Sequence, residues 1–438
     1  MPAKITTNAL RALRRSSSTS SFADPSLHQQ PPPPLHRHFS SVPPKQQLYT
    51  AQLNDRGFIS LEGKNCYKLL QGLVTNDVRR LEDQMQRRAQ VDASRDAEFE
   101  KAFYCAFLNP QGRLIASTFL HAQPEIQTDA GAEPRPPSVL LDCPFDNLST
   151  LTSFIKRFML RSGVKFRDAT QEWEAWAIWS GNGSEQDERA ISEAATVAFR
   201  EGSSSRQGTS KILEDSRTPH MGWRLLSNRG YRSEFLEALW SKHGAEKASE
   251  PTYIRHRLMQ GVPDGTAELM ENHTMPLEAN IDFLGGIDYK KGCYIGQELT
   301  SRTHHLGVVR KRIMPVRIIP SSSNEQSRQP PDLGQVRVLP ATPTQREGGA
   351  NSSRSKPAGN VLAVSEDPDA DGAYIGVAML RLQHVIRALE AGQEDPAQQL
   401  ELPQSDGKAA WKVLPTWPEW WPAGVKDKIL TADPLVSD

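Results

Sequence analysis

The sequence predicts an α+β chain of two or three packed units that ends in a small β-barrel. Three observations carry this. At 438 residues the chain is longer than one hydrophobic core organises. Between Tyr49 and Gln260, β-rich runs bounded by turn residues alternate with segments whose apolar residues recur three and four apart. Beyond Val308, short strands are separated by Gly- and Pro-rich connections, the pattern of a small barrel.

Taken in order, Tyr49 to Leu61 reads as one strand with a possible turn at Arg56-Gly57, and Gly63 opens a short helix carrying Cys66, Leu69 and Leu70. Lys101 to Leu120 holds two strands joined by the turn Asn109-Pro110-Gln111-Gly112. Gln123 to Pro137 is an exposed insert, and Val139 to Leu141 make a third strand. Asp146 is placed to cap a helix in which Leu148, Leu151, Phe154, Ile155, Phe158 and Met159 share a face up to Gly163. Trp173, Trp176 and Trp179 sit in a β-like run. A strand at Met221 to Leu226 and helices at Ser233 to His243 and Tyr253 to Gln260 follow, the last stopped by Gly261. In the carboxy-terminal part, strands are expected at Val308 to Ile319, Gln335 to Leu339, Gly359 to Val364 and Tyr374 to Leu382. Trp411, Trp417, Trp420 and Trp421 would dock a tail onto the barrel. Residues 181–210 and 321–356 read as disordered inserts, which divides the chain into 1–40, 41–306 and 307–438.

Lys plus Arg and Asp plus Glu balance at 52 each, which argues against a general nucleic-acid binder. No apolar run is long enough for a bilayer span, so a soluble mature protein is expected. The four cysteines, Cys66, Cys105, Cys143 and Cys293, form no C-x-x-C pair, which fits a reducing compartment better than a disulfide framework. The first forty residues are Arg- and Ser-rich with Asp24 their only acid, the composition of an organelle transit peptide. Arg37-His38-Phe39-Ser40 is similar to a mitochondrial processing site, so import and a mature start near Ser41 are expected.

The stretch Ile287 to Arg312, IDYKKGCYIGQELTSRTHHLGVVRKR, concentrates the chemistry. Cys293 lies between Gly292 and Gly296, with Lys290 and Lys291 before it, Tyr294 beside it, and Gln297 and Glu298 after it. Glycines leave room for a close approach, and the lysines are expected to favour the thiolate, the form of cysteine that binds metal. Cys66 and Cys105 sit among apolar neighbours and read as core, Cys143 at a strand-to-helix junction is too isolated to interpret, and Cys293 is flanked by Gly and Lys and reads as a functional thiol. Gln297 and Glu298 are expected to hold the loop by hydrogen bonds to backbone amides. His304 and His305, if on a strand, face opposite ways and cannot chelate one metal together. Arg310, Lys311 and Arg312 either extend the positive character or end a solvated strand.

The piece KGCYIGQE, preceded by MPLEANIDFLGGIDY, resembles the signature of the YgfZ branch of the folate-binding aminomethyltransferase superfamily. The longer string through VVRKR resembles the mitochondrial iron–sulfur cluster assembly factors of that branch. LLQGLVTNDV (Leu69 to Val78), NPQGR (Asn109 to Arg113), GWR (Gly222 to Arg224) and RHRLMQGVPDG (Arg255 to Gly265) occur in the expected order. The resemblance implies a GcvT/YgfZ-like ring of two α+β portions around a central folate-like cavity, followed by the β-barrel. It implies a matrix protein that works with A-type scaffold proteins to mature four-iron, four-sulfur enzymes, among them aconitase-type and radical-SAM enzymes such as lipoate synthase. It further implies that Cys293 helps hold a transient two-iron, two-sulfur cluster shared with the scaffold. Such a centre needs four thiolate or equivalent ligands, and one loop cysteine supplies only one. Folate-pocket candidates carried over from the family are Asn76, Asp77, Asn109, Arg224 and Glu278, the last expected to meet an arginine.

Two other functions fit parts of the sequence. Aminomethyl transfer to tetrahydrofolate needs an acid at the reacting nitrogen. Ser117 stands where the enzymes place an aspartate, and Met259 and Gln260 stand where they place a glutamate, so the chain is expected not to catalyse that reaction. A thiol redox cycle at Cys293 lacks a second cysteine nearby in the sequence.

Overall fold

In this computed structural model, the described residues are 47–90, 100–123, 136–181, 187, 189–194, 210–230, 234–321, 331, 333–338, 357–391, 399–403 and 409–432. The predicted transit segment lies outside them, as does most of the two long inserts. Among the described residues no helix is long and apolar enough to cross a membrane.

The run expected to be one strand is two, β1 (Leu48–Leu53) and β2 (Arg56–Glu62), and they enter different sheets. The break falls at Asn54-Asp55, whose backbone amides both donate to the Glu250 carboxylate, so a side chain takes the hydrogen bonds a continuing ladder would have made. Then come α1 (Cys66–Gln71), α2 (Arg79–Gln90), β3 (Phe103–Leu108), β4 (Leu114–Gln123), β5 (Ser138–Pro144), α3 (Leu148–Phe158), β6 (Lys165–Asp168) and β7 (Trp173–Ser180). Asp146 does not cap α3. It lies inside a 3-10 turn and accepts a hydrogen bond from the Thr266 hydroxyl instead. The chain continues through β8 (Lys211–Glu214), β9 (Trp223–Asn228), α4 (Glu234–Lys242), β10 (Glu246–Lys247), α5 (Glu250–Met259), α6 (Gly265–Glu268) and α7 (Gln297–Leu306). Its last portion is β11 (Lys311–Pro320), β12 (Gln335–Val338), β13 (Gly359–Glu366), β14 (Tyr374–Arg381), α8 (Leu382–Ala391), β15 (Leu400–Pro403), β16 (Ala409–Pro415) and α9 (Val425–Ala432).

One five-stranded sheet has the order β10-β1-β7-β9-β8, a second has the order β3-β4-β5-β2-β6, and the barrel closes as β11-β14-β13-β12-β15-β16. Period-two alternation sends Phe58, Tyr104, Phe119 and Leu140 of one sheet and Ala51, Ala175, Ala177 and Trp179 of the other into one shared core. The opposite faces bury Phe103, Cys105 and Leu141 under α1 and α3, and Ile178 and Leu225 under α4. Part of the first insert is ordered, because Ile191 and Ala194 are fully buried in the core beneath α4. Trp420 donates its ring N–H to the Gln260 carbonyl, and Trp421 packs edge-on against Phe283, so the tail docks on the segment that leads to the cysteine loop as well as on the barrel.

The sheets are also joined by charge. Asp142 of β5 takes Arg56 of β2 at 2.5 Å and Arg224 of β9 at 2.7 Å, and all three are buried. Against its own burial, these arginines hold the carboxyl well below its ordinary range. His121 lies 3.9 Å from Asp142, and burial pushes its imidazole down to about 4. Between pH 6.5 and 4 the unfolded chain therefore binds a proton that the folded chain resists, so stability falls as the pH drops through that window. The expected loss at this one site is on the order of 3 kcal/mol. His121→Phe should reduce, without abolishing, the slope of urea-measured stability between pH 6.5 and 4, because burial also pushes His256 down to about 4. An unchanged slope would show that another group carries the acid sensitivity.

Candidate site at the cysteine loop

The site rests on one buried cation. Lys291 Nζ donates to the carbonyls of Gln71, Val74 and Asn76 at 2.9, 2.5 and 2.9 Å. Its charge therefore serves the carbonyls at the end of α1 and just beyond, not the thiol, which corrects the expectation from sequence. Burial pushes the ammonium down to about 8, while three acceptors favour its protonated form. Further bonds stitch the same two segments together. Ile295 N donates to Gly72 O, Asp288 N to Thr75 O, the Thr75 hydroxyl to Gly286 O, and Asn76 Nδ2 to Gly285 O. On its other side the Thr75 amide donates to Ala106 O of β3, whose amide donates back to the Thr75 hydroxyl. The LVTND strip is thus laced between the edge of the sheet and the cysteine loop.

The turn between β3 and β4 closes the site from below. Gly296 has φ +80°, and a Cβ there would lie 2.5 Å from the Asn109 carbonyl. At Gly112, φ +77°, a Cβ would lie 2.9 Å from Leu299 Cβ of α7 and 3.0 Å from the Gly296 carbonyl, so the two turns pack closely together. Tyr294 is buried in the shared core, with its hydroxyl pushed up to about 12 by burial. Tyr294 and Lys291 thus anchor the loop on both sides of the residues between them, and Gly292 and Cys293 remain exposed. Gly292 has open space where a side chain would stand. The other three cysteines are buried, and burial raises Cys66 to about 11, Cys143 to about 12 and Cys105 further.

Several expected residues play different parts. Gln297 and Glu298 begin α7, and among the described residues neither side chain makes a hydrogen bond to the loop. His304 and His305 lie in the last turn of that helix, not on a strand, and the His304 ring stacks on Tyr289 at 3.6 Å. Lys290 is exposed, but Arg312 is buried and grips Asp282 and the Leu277 carbonyl, so Arg310, Lys311 and Arg312 do not act alike. Glu278 meets Lys311 at 3.3 Å, not an arginine.

Of the other folate-pocket candidates, Asn76 and Asn109 are spent on backbone and turn contacts. Asp77 is held down to about 2 by Arg79. Only Arg224 keeps buried donors, Nε and Nη1, without a hydrogen-bond partner. Residues not foreseen join it around Phe119. Arg217 Nη1, Tyr104 Oη, Thr118 Oγ1 and both His121 ring nitrogens are likewise buried without a hydrogen bond, with Arg217 Nη1 and His121 Nε2 lying 3.8 and 3.9 Å from the Asp264 and Asp142 carboxylates, and the Arg217 and Arg224 guanidinium groups lie 4.9 and 4.2 Å from the Phe119 ring. The strand period was the available signal, since Phe119 and His121 alternate with Leu120 in β4.

Comparison with known proteins agrees with this architecture. Residues 310–423 match the model of the CAF17 C-terminal beta-barrel domain. The crystal structure of glycine cleavage system aminomethyltransferase T from Bartonella henselae superposes with a TM-score of 0.55 at 12% identity, covering 85% of this chain and 86% of that one. Fold and site together define an aminomethyltransferase-like body with a CAF17-type barrel, presenting one exposed thiol. The chain is 32% identical over 389 residues to the iron-sulfur cluster assembly factor IBA57 homolog, mitochondrial, of Mycosarcoma maydis, covering 85% of this chain and 84% of the relative. It is 31% identical to the homolog of the same name in Coccidioides immitis, covering 89% and 82%. The chain belongs to the IBA57 family of mitochondrial iron–sulfur cluster assembly factors.

Lys291→Met would leave buried carbonyls unsatisfied, at a cost of about 3 kcal/mol. The expected result is a lower melting temperature together with faster hydrogen exchange at the Ile295 and Asp288 amides. Unaltered exchange at both would mean that the loop is held by something else.

Proposed function

We propose that this chain is an iron–sulfur cluster assembly factor of the mitochondrial matrix. With an A-type scaffold protein it holds a two-iron, two-sulfur cluster in transit to four-iron, four-sulfur apoenzymes, aconitase-type and radical-SAM enzymes such as lipoate synthase. The observation that carries this reading is the exposure of Cys293 on a loop whose neighbours are locked into the fold. Among the described residues no group of three or more His, Cys, Asp or Glu side chains is arranged to hold a metal ion. One thiolate from this chain and the remaining ligands from a partner satisfy the coordination of the cluster. The cluster is cargo, and the work of the chain is to present and release it, without catalysing a reaction of its own. Ser117 is buried and supplies no carboxylate to β4, which supports a role other than aminomethyl transfer.

A second reading concerns the interior. The unpartnered donors around Phe119 support a polar aromatic guest of the tetrahydrofolate class, held by Arg217, Arg224 and Tyr104 between the sheets.

Mixing the protein with a reconstituted scaffold should give a coloured complex that co-elutes, whereas Cys293→Ser should give none and fail to mature aconitase in mitochondria. Full colour and full maturation with the serine variant would refute the assignment. Tetrahydrofolate should quench tryptophan fluorescence at micromolar concentration, and no change at high micromolar would remove the second reading.

A further inference from the structure

The turn that joins α3 to β6 carries an unbalanced charge in a chain that is neutral as a whole. From Asn147 to Arg167 stand five cations, Lys156, Arg157, Arg161, Lys165 and Arg167, and no acid. Arg167 is paired with Glu172. The other four are exposed and, among the described residues, make no ion pair, while Lys156 Nζ lies over the Phe166 ring at 4.8 Å. Glu62 stands opposite Lys165 in the β2–β6 ladder without pairing with it. Lys64, also exposed and without an ion pair, belongs to the same place. Its neighbour Asn65 donates its side-chain amide to the Ser162 carbonyl at 2.8 Å, and a Cβ at Gly63 would lie 2.8 Å from the Gly163 carbonyl. Amid these cations Leu160 is 82% exposed and Phe158 is 38% exposed, where the buried stripe of α3 runs off the core. The chain reverses just beyond, with Arg161 at φ +65° and Gly163 at φ +69°. A Cβ at Gly163 would meet nothing within 4 Å, so the turn projects from the body.

We infer that this turn is a reversible anchor for an anionic bilayer surface. Leu160 and Phe158 enter the headgroup boundary, and Lys64, Lys156, Arg157, Arg161 and Lys165 meet the lipid phosphates. Cations in the last turn of a helix also complement its free carbonyls, but that accounts only for Lys156 and Arg157. It leaves Arg161, Lys165, Lys64 and the exposed Leu160 without a role. The projecting shape favours a lipid surface over a protein partner, because one turn offers little of the roughly 800 Å² per side that a stable protein interface buries. The phosphate backbone of a nucleic acid would satisfy the cations and give Leu160 no apolar surface to bury against. The inference does not depend on the cluster reading, yet the two places are connected. Asn65, just before α1, binds the turn, while Gln71 and Gly72 at the other end of that helix accept from Lys291 and Ile295. The six residues of α1 thus separate the anchoring turn from the grip on the cysteine loop.

The test is co-sedimentation with vesicles of phosphatidylcholine and phosphatidylglycerol in a two-to-one ratio, against vesicles of phosphatidylcholine alone. It uses the chain from Ser41, the expected mature form, which keeps every described element and omits the Arg-rich leader that would bind anionic lipid by itself. This chain should sediment with the anionic vesicles only, and bind at least about tenfold more weakly when salt rises from about 50 to about 500 mM. Leu160→Ser should weaken binding roughly tenfold and keep the salt response. Arg157→Gln/Arg161→Asn, with asparagine suited to the left-handed backbone, should weaken it roughly twentyfold and flatten that response. Both variants should melt as wild type does, since the altered side chains are exposed. A polarity-sensitive fluorophore on Leu160→Cys, in the Cys293→Ser background, should shift to the blue on anionic vesicles. Equal binding to both kinds of vesicle, binding to neither, wild-type binding in both variants, or a fluorophore that stays in water would each overturn the inference. Tighter binding to polyglutamate or single-stranded RNA, lost in the same variants, would assign the turn to an acidic protein or a nucleic acid and overturn it as well.

Discussion

A lysine ammonium closed off from water requires acceptors, and in this fold the acceptors are the carbonyls of Gln71, Val74 and Asn76. That requirement organises the site. It fixes a strip of chain between the edge of β3 and a loop more than two hundred residues away in sequence. Lys291 and Tyr294 both point inward, and the loop between them passes at the surface. Cys293 and Gly292 are exposed because the residues that flank the pair are held inward. The turn glycines Gly112 and Gly296 let the β3–β4 connection press against this loop, which gives a surface thiol a rigid base.

The interior is the second constraint. Two sheets meet over an apolar core and also over Asp142, which two arginines from different sheets share. A buried arrangement of this sort is costly to break from one side, since any single loss strands a charge. The same region holds donors beyond what the carboxylates accept. The polar groups around Phe119 set that region apart from the apolar core, and β4 carries no acid. Along the other flank, the Arg312–Asp282 pair and the tail tryptophans tie the barrel to the segment that enters the cysteine loop.

Much of this was legible in the residues. The β3–β4 hairpin, the burial of Cys66 and Cys105 and four of the six barrel strands follow from alternation, turn chemistry and the company each residue keeps, whereas β15 and β16 were not foreseen and Trp411 lies in β16 instead of in a docked tail. What the sequence hid was direction. Lys290 and Lys291 are identical in type and adjacent, yet one faces solvent and the other is buried under carbonyls supplied from far away in the chain. Arg310 and Arg312 divide in the same way. Helix α7 was missed because its polar run carries no apolar stripe and its only buried residue is Thr300, so the backbone is set by Gly296 and the packing of Leu299 against the Gly112 turn. The break between β1 and β2 was hidden because the side chain that ends the ladder comes from Glu250.

The account stands or falls on one sulfur being reachable while three are sealed. Titration of the native protein with an aromatic disulfide reagent reads this directly. One fast-reacting thiol per chain, abolished by Cys293→Ser, is the expected result. No reactive thiol before unfolding, or fast reaction at Cys66, Cys105 or Cys143, would contradict it.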